Sequence, residues 1–483
     1  MILKIQKFIV YWLLLCLPSL GVANNDLPEI GTAGAAVLSI DQEKEYGWAF
    51  KLMANQALPI IHDPVLNHYI KSLGQNIVSH ADSVKLPFEF YLIEDEEINA
   101  AAFLGGNVKI HSGLFIYATT ESELASVIAH EVAHITQRHL ARMLEQQSFS
   151  NPATLAAAAG SILLALVAPA AGMAALSTTL ALNAQNNINY TRLHEYEADH
   201  IGIQILANAG YNPYGMADFF GKLAEKYQYA SATPQMLSTH PLAETRLTEA
   251  RLRASQLSEN VKKVKDSLDY YLSKERITVR YHQLTPPTLI SKYQRQLEEQ
   301  KYQRKEAAEY GLALAYFQNK DYKNAQKINQ ALLASDPSNL FYIDLFSDIG
   351  IATGDLENVI KSLIEYDQQF ADNEVIRLNL VIALQKNKQY TLAEKKLALF
   401  LRTHPHHILA HQIAIDLYKV MKEKAKEHAT KAEYLALQGR FREASQEMGT
   451  ALVYTKEKLN QARYSAKIEE FKLADIRLKA LQK

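Results

Sequence analysis

Apolar positions recur at helical spacing along most of the chain, with two short exceptions. Phe88-Glu89-Phe90-Tyr91-Leu92-Ile93 is rich in β-forming residues, and Asn107-Val108-Lys109-Ile110-His111 alternates between Gly105-Gly106 and Gly113, so both predict strands. Thr120-Glu121-Ser122-Glu123 has the form of a capping box and predicts a helix beginning near residue 121. Leu124, Val127, Ile128, Val132 and Ile135 then mark its buried side. A further helix is predicted to start at about Glu195 and to run through Ile201, Ile203 and Ile205. Between the two, Ser148–Thr191 contains no Asp, Glu, Lys, Arg or His; its Ala153–Leu182 portion is rich in Ala and Leu and is broken by Gly160, Pro169 and Gly172. The half before Pro169 is shorter than the ~20 residues a membrane span needs. Small-residue helices packed on the core, or dipping into a membrane surface, are therefore expected there rather than a membrane hairpin.

The back half repeats. Tyr322-x-x-Ala325, Leu356-x-x-Val359 and Tyr390-x-x-Ala393 are spaced by 34 residues, with turn residues Asn319-Lys320-Asp321, Gly354-Asp355 and Lys386-Asn387-Lys388 in the same phase. Pro337 and Pro405 each follow a repeat alanine by 12 residues, and Ala313 and Tyr316 precede Ala325 in the matching phase. This is the tetratricopeptide pattern, two helices per unit with small residues at the crossings. A fourth copy, Gly439-Arg440-Phe441-x-x-Ala444, comes 51 residues after the third, which predicts one extra helix between them. Such stacks share a core and leave a concave groove suited to a protein segment.

Lys4 and Lys7, the apolar run Phe8–Leu17 and the small residues Gly21-Val22-Ala23 read as a cleaved secretory signal, residues 1–23, too short to anchor comfortably as a span. Cys16 follows Leu15 rather than a small residue, which argues against lipid attachment, and its loss would leave a chain without cysteine, suited to an oxidising compartment. Composition is that of a globular protein, with 48% apolar and 21% charged residues. The formal charge of −1 gives no argument for a nucleic-acid partner. Residues 24–300 carry 21 basic and 29 acidic side chains and residues 301–483 carry 28 and 23, an asymmetry that suggests separate roles for the two parts. A single cysteine excludes cysteine-based zinc sites, so any metal must be held by His and carboxylates.

The first helix carries His130-Glu131-Val132-Ala133-His134. Residues i and i+4 share a helix face, so both imidazoles can reach one ion, while Glu131 points about 100° away and can reach a water beside it. A hydrolytic zinc site takes three protein ligands and keeps one open position. The third ligand must come from elsewhere, and Glu195-Tyr196-Glu197-Ala198-Asp199 offers two carboxylates again at i and i+4. Either can ligate; Glu195 is the better choice, because an Asp one turn later can then accept the free ring N–H of a ligand histidine.

The HEVAH helix, the Glu195-x-x-x-Asp199 segment and the Gly-Gly-x-Val-x-Ile-His strand resemble the gluzincin peptidases that include the CAAX prenyl proteases. A signal peptide with C-terminal repeats is similar to the periplasmic members, and the likeness covers nearly the whole mature chain. It implies a mostly α protein: an α+β zincin-type metalloprotease domain with a small sheet at 24–265, a helical linker at 266–300 and an α-solenoid of tetratricopeptide repeats at 301–483. It also implies one Zn2+ held by His130, His134 and Glu195, Glu131 as catalytic base and Asp199 as support for a ligand histidine. His240, in Ser238-Thr239-His240-Pro241, matches a residue that can take the fourth zinc position at rest; from the sequence alone it is a loop histidine. Arg246 either lines the site or lies on a helix surface. The implied substrates are unfolded or misassembled proteins, outer-membrane β-barrels among them, with the barrel-assembly machinery as partner through the repeats. Peripheral membrane contact is a further expectation. The strand at Asn107–His111 could take an extended substrate as an added strand, unless it is internal and has no free edge. The alternative function is a chaperone or adaptor working through the repeat groove, its proteolysis restrained by His240.

Overall fold

A computed structural model describes residues 37–146, 184–228, 235–242, 244–258 and 266–481, with Gly34 and Ser161. The expected signal segment, and the uncharged stretch from 148 to 183 apart from Ser161, lie outside these residues.

The chain begins with α1 (Ile40–Ala57), whose N-cap Ser39 and Gln42 form a reciprocal capping box, and α2 (Pro64–Ser79), capped by Asp63. Strands β1 (Glu89–Ile93), β2 (Ala100–Phe103) and β3 (Asn107–His111) follow. β3 lies in the middle: β1 pairs with it in parallel, Glu89 opposite Asn107, and β2 antiparallel, Ala100 opposite Ile110. Gly105 and Gly106 make the β2–β3 turn at φ 74° and 85°. A Cβ on Gly106 would stand 1.8 Å from the Pro87 carbonyl oxygen, so only glycine fits this turn. β3 therefore has no free edge, and the expectation of substrate pairing at Asn107–His111 is overturned: both its edges are already hydrogen-bonded. The edges belong to β1, bridged by Ile60 only at Ile93, and to β2, a strand whose Ala-Ala-Ala-Phe sequence carries no β-branched residue.

After α3 (Ser112–Tyr117), Thr120 caps α4 (Glu121–Thr136) by accepting from the Glu123 amide. The other half of the box is not made, because the buried Glu123 carboxylate takes the Thr119 N–H instead of that of Thr120. α4 is buried nearly all round, among α2, β2, α6 (Ala184–Asn208) and α7 (Tyr214–Tyr227). α5 (His139–Gln146) follows α4 after two residues. The helix expected to start near Glu195 begins instead at Ala184, so Glu195 and Asp199 sit in its middle. α8 (Gln235–Thr239) and α9 (Glu244–Ser258) complete this part.

α10 (Leu268–Arg280) and α11 (Pro286–Glu298) lead into helical pairs: α12 (Lys305–Gln318) with α13 (Tyr322–Ser335), α14 (Leu340–Thr353) with α15 (Leu356–Gln369), α16 (Glu374–Lys386) with α17 (Tyr390–Thr403), and α18 (Ile408–Met421) with α19 (Lys424–Ala436). α20 (Phe441–Tyr454) and α21 (Lys458–Leu481) end the array. The 51 residues from Tyr390 to Phe441 hold two helices, α18 and α19, where one separates the earlier copies. α19 starts 34 residues after Tyr390, so the period is unbroken although Lys424-x-x-Glu427 carries none of its marker residues. This is the solenoid built of stacked helix pairs that the 34-residue period predicts.

One hydrophobic core runs from Ile110, Leu124 and Ile128 through Tyr270 and Ile277 of α10 to Tyr310 and Phe341 of the array. A second joins Phe50 and Leu52 of α1 to Leu435, Phe441, Met448 and Phe471, so the last helices return to the first. Trp48 stacks on Phe441 at 6.0 Å between ring centroids, and Arg477, paired with Glu45, covers the Trp48 ring. No described helix is long and apolar enough to cross a membrane.

Candidate metal centre

Two helices make the site. α4 presents His130, Glu131 and His134, and α6 presents Glu195 and Asp199. Their close approach depends on Gly202, where a Cβ would lie 3.1 Å from the His130 amide nitrogen. His130 Nε2 and His134 Nε2 stand 3.0 Å apart, and each lies 3.4 Å from a carboxylate oxygen of Glu195. His240 arrives from the end of α8, its N–H donating to the carbonyl of Met236, which is itself buried. Its Nδ1 lies 3.3 Å from His130 Nε2 and 3.1 Å from both oxygens of Glu195.

Four ligands at 2.0–2.1 Å from a tetrahedral zinc ion would be separated by roughly 3.3–3.4 Å. The measured separations of 3.0–3.4 Å are nearly those edges. Imidazole nitrogens turned toward one another around a buried carboxylate are also the donor chemistry such an ion takes. The four residues thus fit a single divalent metal, and they are the group of metal-capable side chains found among the described residues. Glu131 lies beside them, 1% exposed; neither carboxylate oxygen has a hydrogen-bond partner among the described residues, and Oε1 is 3.5 Å from His240 Nε2. A buried carboxylate without a donor is costly unless something polar is meant to occupy the space in front of it.

Asp199 Oδ1 lies 3.0 Å from His130 Nδ1, on the ring face away from the cluster. Arg246, in α9, closes on both acidic residues: Nε and Nη2 donate to Asp199 at 2.6 and 2.7 Å, and Nη1 lies 3.0 Å from Glu195. It is 3% exposed, its guanidinium over the Phe220 ring and its Nη1 also donating to the Pro241 carbonyl. Of the two positions the sequence left open for it, the buried one beside the site is occupied.

Burial alone would push the carboxyls up and the imidazoles down, yet their mutual contacts dominate. Glu195 is held well below the ordinary carboxylate range because three histidines outweigh its desolvation. Asp199 is lowered too, since the Arg246 and His130 bonds exceed the burial effect. His130 is raised to about 10, against its burial, by Asp199 and Glu195, whereas His134 is lowered because desolvation prevails.

A small apolar pocket adjoins the cluster, with Val127, Met216, Phe220, Met236, Leu237 and Leu242 around His130 and His240. Of its wall residues the periodicity marks only Val127, as part of the buried side of α4. Only their position next to the histidines, which depends on α7 and α8 folding back, sets them apart.

Two metal-facing histidines one helical turn apart, with a glutamate from a second helix, define a gluzincin-type metallopeptidase. Comparison with known proteins carries this further: residues 64–254 match Peptidase family M48. The "Putative beta-barrel assembly-enhancing protease" of Vibrio cholerae is 41% identical over 97% of this chain and 96% of its own, and the "Beta-barrel assembly-enhancing protease" of Escherichia coli K12 is 40% identical over 96% and 95%. "Mitochondrial metalloendopeptidase OMA1" of Schizosaccharomyces pombe is 26% identical over 44% of this chain and 60% of its own. The chain belongs to peptidase family M48 and is a metalloendopeptidase.

Proposed function

We propose that this protein is a zinc endopeptidase of the periplasm that removes misfolded or stalled outer-membrane β-barrel proteins and assists their assembly. Five of the six separations among His130, His134, Glu195 and His240, all 3.0–3.4 Å, carry this reading, with Glu131 poised beside the cluster. The substrate class follows the printed names of the relatives that match nearly the whole chain, and the periplasmic location follows the secretory signal read at residues 1–23. Residues 24–265 would supply the catalytic unit, 266–300 the bridging helices and 301–483 the client-facing and partner-facing repeats.

Three protein ligands, His130, His134 and Glu195, would hold the zinc. When bound, zinc supplies Lewis acidity toward a peptide carbonyl and a more acidic water at neutral pH. Glu131 accepts a proton from the attacking water at its carboxylate and delivers it to the departing amine. Asp199 holds the Nδ1–H of His130, leaving Nε2 free for the metal, and Arg246 keeps Asp199 ionised while bracing Glu195 from 3.0 Å. The outer edge of β2, beside α4, can pair with an extended backbone, which selects unfolded segments over particular sequences. His240 fills the fourth corner at rest and blocks the place a water would take. Those contacts also favour a second mode, in which the resting protein serves as a chaperone through its repeats. Replacing Glu131 with Gln in the full chain tests the reading: zinc content should stay near one per chain while cleavage of an unfolded substrate falls at least 100-fold. Undiminished cleavage would remove Glu131 from the chemistry.

A further inference from the structure

His130 has a clear orienting partner in Asp199, itself held by Arg246; the other histidine of the pair needs one too, and no carboxylate touches the Nδ1 of His134 among the described residues. What stands there is another imidazole. His134 Nδ1 is 2.9 Å from His139 Nδ1, with the two rings edge to face at 4.8 Å. The far nitrogen of His139, Nε2, lies 3.3 Å from Glu197 Oε2, and both oxygens of Glu197 accept from Arg142 Nη1 at 3.1 and 2.9 Å.

The local chain is built to put that ring in place. α4 ends at Thr136, and α5 starts at His139 after a turn in which Arg138 takes a left-handed φ of 53°. A non-glycine residue holds such a conformation only when its surroundings fix it. Here the Arg138 guanidinium is buried, donates to Glu43 of α1 at 3.1 and 3.3 Å and reaches the Leu38 carbonyl. His194 then stacks flat on His139, 4.2 Å between centroids and 8° between planes, which settles the plane of the ring. His139 itself is 4% exposed.

The order of protons follows. A His134 that offers Nε2 to a metal carries its hydrogen on Nδ1, so His139 Nδ1 must accept. The hydrogen of His139 then sits on Nε2, within ion-pair range of the Glu197 carboxylate at 3.3 Å though outside hydrogen-bonding alignment, and Arg142 pairs with Glu197. Each histidine of the HExxH pair is thus backed by a carboxylate and an arginine: His130 directly, His134 through one interposed imidazole.

We propose that His139 is the positioning residue for His134, fixing its tautomer and ring orientation toward the metal through the chain His134–His139–Glu197–Arg142. This rests on the reading of His130, His134 and Glu195 as zinc ligands, and adds a residue that the HExxH motif does not include. Partners of this kind change metal affinity by about 10–100-fold when removed.

The test uses the full chain, freed of metal, with zinc affinity measured by competition against a chromophoric chelator and the melting temperature of the metal-free protein as control. His139→Leu should weaken zinc binding about 10–100-fold. His139→Asn, which keeps a short acceptor facing His134, should recover most of the loss, and Glu197→Gln should lose less than His139→Leu. Parental zinc affinity in His139→Leu overturns the proposal, as does a His139→Asn variant equally weak at the same metal-free melting temperature. If His139→Leu does not fold, Glu197→Gln at its half-exposed position decides, and unchanged affinity there overturns the proposal. His134→Ala separates the two levels: if it retains the parental affinity, the ligand assignment fails, whereas loss in His134→Ala with none in His139→Leu removes only the role of His139.

Discussion

Arg276 offers the sharpest test of how the catalytic part and the repeats are joined. It lies in α10, 1% exposed, where Nε donates to Asp63 at 2.7 Å, Nη2 lies 2.7 Å from Asp344 and Nη1 donates to the Tyr310 hydroxyl at 2.9 Å. Asp63 caps α2 in the catalytic part, while Tyr310 and Asp344 belong to the repeat helices α12 and α14. Replacing Arg276 with Met removes the cation and leaves two buried carboxylates. Breaking one partner from a buried pair costs about 3–5 kcal/mol. Two acids lose their partner here, but Arg280, 3.9 Å from each, retains part of the field, so the expected loss is about 4 kcal/mol. Urea unfolding at pH 7 followed by the fluorescence of Trp48, which packs against Phe441, reads the loss where the array closes on α1. The pH dependence is a second arm. In the parent, Asp63 is lowered because the two arginines outweigh its burial, so it contributes stability above its unfolded pKa that is lost as pH falls through the lower folded value. In the variant Arg280 and the helix-capping bonds alone oppose burial, so the folded pKa of Asp63 moves up and its protonation costs the fold less than in the parent; the deficit should shrink on acidification. Combining Arg276→Met with Asp63→Asn and Asp344→Asn should restore most of the stability, since no unpaired charge remains. A deficit below about 1 kcal/mol at pH 7, or one that does not narrow by pH 5, would refute the reasoning.

Three further outcomes are expected. His240→Ala should raise basal peptidase activity several-fold with zinc retained, measured on an unfolded substrate; unchanged or lower activity would show that the ring does not block the site. Because His130 is raised to about 10 by Asp199 and Glu195 against its burial, the metal-free protein carries a proton there at neutral pH. Zinc uptake must release it, so apparent affinity should climb about tenfold per pH unit between 6 and 9, less steeply in Asp199→Asn; a flat profile would contradict the assignment. His111, 2% exposed in β3, is lowered to about 4, by burial first and then by Lys109. The unfolded chain binds a proton below pH 6.5 that the folded chain refuses, so stability should fall by up to roughly 3 kcal/mol from pH 6.5 to 4. The same melting series on His111→Gln should be flatter, and an identical slope would exclude His111 as the source.

The sequence reveals most where an interaction closes within one helix or one repeat. The i, i+4 spacing puts His130 and His134 on one face whatever surrounds them, and Thr120 starts their helix by a bond three residues long. The 34-residue period is equally local, since each pair of helices packs mainly on its neighbours. The strand β2 escapes notice because its alanines have little intrinsic preference; pairing with β3 across a two-glycine turn makes it a strand. That same strand puts β3 in the interior of the sheet, which alternation alone does not decide. The start of α6 at Ala184 is missed for a related reason: the uncharged residues up to Thr191 give no amphipathic contrast to mark where the helix begins.

What the spacing of residues cannot supply is the electrical setting of the site, because its partners are far apart in the chain. Asp199 and Arg246 are 47 residues apart, His130 and His240 110, and Asp63 and Arg276 213. Each side chain, read alone, is an ordinary surface charge or loop histidine. The packing of α9 on α6 brings Arg246 inward, where with His130 it holds the buried Asp199 ionised, while His240, His130 and His134 do the same for Glu195. Three acidic residues, Glu131, Glu195 and Asp199, stand there beside one arginine, an acidic surplus that suits a divalent cation. An HExxH helix names the metal's donors, but the charge that makes the pocket accept a dication is assembled by the tertiary fold. Removing Arg246 should therefore disturb the site more than its distance from the reacting atoms suggests.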